Sequence, residues 1–239
     1  MDELIQAGQY DEARARMLAG AQGNADALGV ILELRDWLRL KEYAKVRKTL
    51  EQDGDLAAGY VEGERVKAAL EDFESEDPAR LEAHTADPLL GAEAWTNLGL
   101  LKIRSGDREG ARADFERALE RDRGHFRAKT NLGNLLLESG QTDEAIKVYE
   151  EVLRLHPEYA MAHHNLGAAY RKKGDLSKSV SHIKKAQRLQ MRAPVRPSRS
   201  SGAGSSSANP LPRPSMFAGR WWVWLLLIVV AYLLINRQP

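Results

Sequence analysis

A period of 34 residues constrains this chain more than anything else in it. Asn97-Leu98-Gly99 returns as Asn131-Leu132-Gly133 and again as Asn165-Leu166-Gly167, 34 residues apart each time. Further columns share that register: Gly106, Gly140 and Gly174; Ala111, Ala145 and Ser179; Phe115, Tyr149 and Ile183; Ala118, Val152 and Ala186. Self-similarity at this length marks a stacked repeat, in which each unit buries its apolar face only against its neighbours. The Gly beside the Leu lets two helices approach closely. The second Gly takes the left-handed conformation that ends the first helix, and the small residue five places on lies where the second helix crosses. The large residue four places later fills the space between units.

The set resembles the tetratricopeptide repeat, whose pattern W-x2-L-G-x2-Y, A-x3-F and P is met by Trp95, Leu98, Gly99, Ala111 and Phe115 in the first unit. The second unit has Leu132, Gly133, Ala145, Tyr149 and Pro157, and the third has Leu166, Gly167, Tyr170, Ile183 and Ala186. The departures are Lys102 at the family's Tyr, Lys129 and His163 at its Trp, and Arg123 and Met191 at its Pro. The resemblance implies an all-α, right-handed superhelical solenoid of helix-turn-helix units, three of them over residues 92–192, at about 92–125, 126–159 and 160–192. Residues 1–91 read as degenerate repeats of the same kind. There Gly8-Gln9-Tyr10-Asp11-Glu12-Ala13 echoes Gly140-Gln141-Thr142-Asp143-Glu144-Ala145. Ile31, Leu34, Leu38 and then Val46, Leu50 keep a helical period, and Asp77-Pro78 is a helix start.

Charge divides the chain. All 34 acidic residues lie at or before Asp175, while nine of the 35 Lys and Arg lie at or beyond Lys184. Residues 193–215, rich in Pro, Ser, Gly and Arg without apolar periodicity, read as a disordered linker. Trp221 to Ile235 is an uninterrupted apolar run. Extended back to Met216 it has 20 residues, which as a helix would reach about 30 Å and cross a bilayer. Trp221, Trp222 and Trp224 crowd one end of it, as at a headgroup interface. The expected arrangement is therefore one C-terminal transmembrane helix over 216–235, tail-anchored and single-pass. Arg192, Arg196, Arg199, Arg213 and Arg220 on its N-terminal flank place the repeats on the cytoplasmic side. The Ala, Arg and Gly usage leans to a bacterial inner membrane. The basic arm of Lys184, Lys185, Arg188, Arg192, Arg196 and Arg199 is expected to touch anionic lipid rather than nucleic acid.

Enzyme chemistry finds no support. There is no cysteine, which removes a disulfide scaffold and a thiol nucleophile together. His163 and His164 are neighbours on a helix and point about 100° apart, not towards a common metal as an i, i+4 pair would. Gly202-x-Gly204 lies in the linker without strand or helix to make it a phosphate loop. No catalytic residue, metal or cofactor is assigned.

The resemblance also says where a ligand would lie, since in this family the first helices of successive units line a concave groove. Asn97, Asn131 and Asn165 fall on that face and form one amide per repeat. The row resembles that of the repeat domain of O-GlcNAc transferase, where such Asn residues hold extended polypeptide. A side-chain amide carries both a donor and an acceptor, so it can pair with a peptide backbone whatever its side chains. Thr96, Leu100, Arg127, Thr130, Asn134, Met161, His164, Ala168 and Arg171 share the predicted groove. Arg127 and Arg171, with Lys172, favour an acidic segment. The expected function is a membrane-anchored scaffold that binds an extended segment of a partner protein. The alternative is a self-associating membrane organiser whose basic arm binds lipid.

Overall fold

The computed structural model describes residues 1–192, and the linker and the apolar segment 216–235 lie outside them. The described residues are helical, with no strand among them. Six helices precede the 34-residue period: α1 (Asp2–Gln6), α2 (Tyr10–Leu18), α3 (Ala25–Arg39), α4 (Tyr43–Ala57), α5 (Gly63–Ser75) and α6 (Pro78–Glu82). Six more carry it: α7 (Gly91–Ser105), α8 (Arg108–Arg121), α9 (Phe126–Glu138), α10 (Thr142–Leu155), α11 (Ala160–Lys173) and α12 (Leu176–Arg192). Among the described residues no helix is long and apolar enough to cross a membrane.

The periodic residues explain these boundaries. At the ends of α7, α9 and α11 the chain turns through Gly106, Gly140 and Gly174, at φ of 85°, 88° and 91°. The same pair of bonds closes each turn: the glycine N–H donates to Ile103, Leu137 or Arg171, and the next residue donates to Lys102, Leu136 or Tyr170. That is the Schellman closure, which satisfies carbonyls the helix end would otherwise orphan. Starts are fixed by side chains. Asn24 accepts from Ala27 N–H, Asp77 from Ala79 N–H and Asp107 from Gly110 N–H, at 2.8–3.0 Å.

Packing uses the other columns. An added Cβ would lie 2.6 Å from the Phe115 ring at Gly99, 2.6 Å from the Tyr149 ring at Gly133 and 2.7 Å from Ile183 at Gly167. Each second helix therefore lays its large residue on bare backbone of the first. Phe115 and Tyr149 are fully buried there, with Ala111, Ala118 and Ala145 around them. Lys102, standing where the family has Tyr, reaches back to the buried Asp114 on α8 at 2.7 Å. In the N-terminal part, Ile31, Leu34 and Leu38 of α3 and Val46 of α4 are buried in a core that also takes in Ala94 and Leu98 of α7. The first six helices thus pack onto the first periodic unit and not beside it.

Candidate functional site

The first helices α7, α9 and α11 are cross-linked along one wall. Glu93 in the first turn of α7 meets Arg127 in the first turn of α9, and Asn165 of α11 donates to Asn134 of α9 at 2.7 Å. Lys172 of α11 donates to the Leu137 carbonyl of α9 at 2.6 Å. These contacts step by about one period along the helices to which the sequence assigned a groove.

Its N-terminal end is sealed around Glu93, which is 1% exposed. Arg127 Nη1 donates to both carboxylate oxygens at 2.8 Å. Tyr43 from α4 donates to Oε1 at 2.5 Å, and Asn97 Nδ2 donates to the same oxygen at 3.2 Å. His125 completes the set. Its Nδ1 accepts from Ala128 N–H at the start of α9, which leaves the proton on Nε2, 3.2 Å from Glu93 Oε2. Burial alone would raise the Glu93 pKa, but Arg127, His125 and Tyr43 outweigh it and hold the carboxyl at about 2. Burial and the same carboxylate push the Tyr43 hydroxyl up, so it stays a donor. A few residues away Arg39, the last of α3, grips Asp122 at the α8–α9 corner. Nε and Nη2 take one oxygen each at 2.6 and 2.5 Å, with both side chains about nine-tenths buried. The α3–α4 corner is thereby pinned over the first repeat's end of the wall, and Leu38, Arg39 and Glu93 line a cleft of about 560 Å³ beside it.

The predicted residues divide on this geometry. Asn97 is 7% exposed and bonded to Glu93, so its amide is committed inside the protein. Thr96 and Thr130 are both buried, and each hydroxyl donates to the carbonyl one turn back, Ala92 or Phe126, at 2.7 Å. Arg127 is likewise consumed by Glu93, and Lys172 by a carbonyl, which leaves Arg171 as the exposed cation behind the expected acidic preference. Leu100 is half-buried against the first unit's core. Asn131 is half-buried and makes no side-chain hydrogen bond among the described residues. Asn134 Oδ1 accepts from both Tyr149 and Asn165 at 2.7 Å, and among the described residues its Nδ2 and the Asn165 Oδ1 have no partner. Met161, at 49%, is exposed, as are His164 and Arg171, and Ala168 is half-buried.

Sequence reading missed Tyr43, Glu93, His125, Arg39 and Asp122. One signal was available: Glu93 and Arg127 are opposite charges one period apart, the spacing of an inter-repeat ion pair. A second buried joint lies between α11 and α12. His163 Nε2 donates to the Pro157 carbonyl at 3.0 Å, so its Nδ1 is the acceptor for His182 Nδ1–H at 3.0 Å. Thus His163, at the family's Trp position, is a packing residue. Among the described residues no group of three or more His, Cys, Asp or Glu could hold a metal.

Comparison with known proteins agrees with the period. Family profiles described as tetratricopeptide repeat match residues 96–151 and 160–190, and one described as TPR repeat matches 133–174. A crystal structure of MamA is 23% identical, covering 62% of this chain and 76% of that one, at a TM-score of 0.42. A second MamA structure, AMB-1, is 22% identical, covering 71% and 94%, also at 0.42. No curated protein matches the sequence. Over residues 96–190 this chain is therefore similar to tetratricopeptide repeats.

Proposed function

We propose that the protein is a scaffold that holds an extended segment of a partner protein along the open part of the α9–α11 wall. The observation that carries this reading is the contrast between Asn97, sealed under Tyr43 and Glu93, and Asn131, half-exposed with nothing bonded to it. An amide left unpaired beside the unpaired Asn134 Nδ2 and Asn165 Oδ1 offers a peptide backbone alternating donors and acceptors. Met161, His164 and Arg171 flank them and would meet side chains. The acidic preference is weaker than the sequence implies, because Arg127 is spent on Glu93.

The 20-residue segment 216–235, apolar apart from Arg220, supports anchoring of this scaffold to a membrane, with the repeats on the cytoplasmic side. A photo-crosslinker at Met161 in the full chain tests the groove. The expected result is a defined adduct that Asn131→Ala with Asn165→Ala abolishes, and an unchanged adduct rejects the reading. Removal of 216–235 should release the chain from the membrane fraction.

A further inference from the structure

The last helix carries a surface that the groove does not use. Ser179 and Ala186 of α12 are buried, and His182, Ile183 and Leu189 are half-buried, which fixes the face turned towards α11. On the far side three aliphatic side chains stand in the open: Leu176 at 64%, Val180 at 50% and Met191 at 84% exposed. Leu176 and Val180 begin an i, i+4 row that continues as Lys184 and Arg188, and Met191 falls about 20° from Val180 at ~100° per residue. The helix holds five Lys and Arg and no acid. Lys178 is spent, 3.6 Å from Asp175 and over the Tyr170 ring. Lys184, Lys185 and Arg188 are exposed and have no ion-pair partner among the described residues.

We infer that this face of α12 docks on an anionic lipid bilayer. Two needs must be met at once by whatever covers it, cover for three aliphatic side chains and counter-charge for three unpaired cations. A bilayer meets both in the right order of depth. Leu176, Val180 and Met191 enter the acyl boundary while the long Lys and Arg stems carry their charges back to the phosphates. Nucleic acid supplies phosphates but nothing apolar to cover the aliphatic stripe. The inference is independent of the groove, whose residues lie on α9 and α11.

The chain has no cysteine, so one environment-sensitive label can be placed at will. The full-length protein labelled at Val180→Cys is reconstituted into phosphatidylcholine vesicles and into vesicles with phosphatidylglycerol added. A matched label at Lys147→Cys, on the exposed face of α10, is the control. Docking predicts a blue shift at position 180 in the anionic vesicles and none at 147. The variant Lys184→Gln with Lys185→Gln and Arg188→Gln should lose the shift, with partitioning of the face weaker on the order of 100-fold, and its circular dichroism should match that of the parent. Equal signals in both vesicles, silence in both, or the same shift from soluble oligonucleotide or polyglutamate overturns the inference.

Discussion

At the N-terminal end of the repeat array the column that starts with Asn97 is closed, while one and two periods on, at Asn131 and Asn165, it is still reachable. The three positions carry one residue type and one helical register, so local sequence does not distinguish them. Their neighbours do. Asn97 sits under the α3–α4 corner and beside a carboxylate that collects Tyr43, His125 and Arg127, whereas no helix from the first six contributes a bond to Asn131 or Asn165. A repeat column therefore records where a side chain stands on its helix. Whether it meets a ligand or the protein itself is decided by what packs on top.

The largest test of this contrast removes the seal. Glu93→Ala leaves the Arg127 guanidinium and the His125 and Tyr43 groups buried without their shared acceptor. Breaking a buried, hydrogen-bonded ion pair from one side costs about 3–5 kcal/mol, read as a fall in the urea midpoint. Asn131→Ala in the same assay should barely move it. If Glu93→Ala proves neutral, the N-terminal end is held by the apolar core alone and the comparison fails.

How much could be read beforehand follows from the same distinction. Helix ends and close crossings depend on residues within one unit, so Gly106, Gly140, Gly174 and the Gly99–Phe115 type of contact are visible as spaced letters. The Glu93 cluster draws Tyr43 from 50 residues upstream and Arg127 from 34 downstream, and burial of the column by another helix has no local pattern at all. The burial of Thr96 and Thr130 has a related reason. Their hydroxyls back-bond within the helix, and that satisfaction lets a polar residue sink into the packed side.

A middling effect comes from Gly133. Alanine there would put Cβ 2.6 Å from a Tyr149 ring that is fully buried, so the ring must shift. Overpacking of this kind costs about 1–3 kcal/mol, measured by thermal or urea unfolding. The ring also donates to Asn134, which accepts from Asn165, so the substitution should loosen the open part of the wall as well. Gly106→Ala, where a Cβ meets nothing within 4 Å but φ is 85°, isolates backbone strain from crowding.

Acid should separate the two ends. Burial lowers the pKa of both His163 and His182, with Lys185 pressing the same way on each; Pro157 opposes it at His163, and Glu150 at His182. A depressed folded pKa means the unfolded chain binds more protons below the ordinary value of 6.5, so stability from this joint is full above that value and is lost as pH falls beneath it. Protonation of both rings would also set two N–H groups against each other across 3.0 Å. Glu93 keeps its contribution until far lower, losing it only as pH falls from 4.5 through about 2. Hydrogen exchange at pH 5.5 against pH 7.5 should therefore show α12 opening while α7 holds, and uniform opening would contradict the assignment.

The smallest expected change in stability is the one that matters most for function. Asn131→Ala removes no hydrogen bond and no ion pair, and the side chain is only half-buried. Surface substitutions away from such features fall within about 0.5 kcal/mol, so the variant should unfold with the parent. Asn97→Ala, by contrast, strips a donor from a buried carboxylate and should cost about 1–3 kcal/mol. If Asn131→Ala leaves the fold untouched yet abolishes the Met161 crosslink, while Asn97→Ala weakens the fold and spares the crosslink per folded molecule, the row of amides has two occupations. One end would then hold the protein together, and the other its partner.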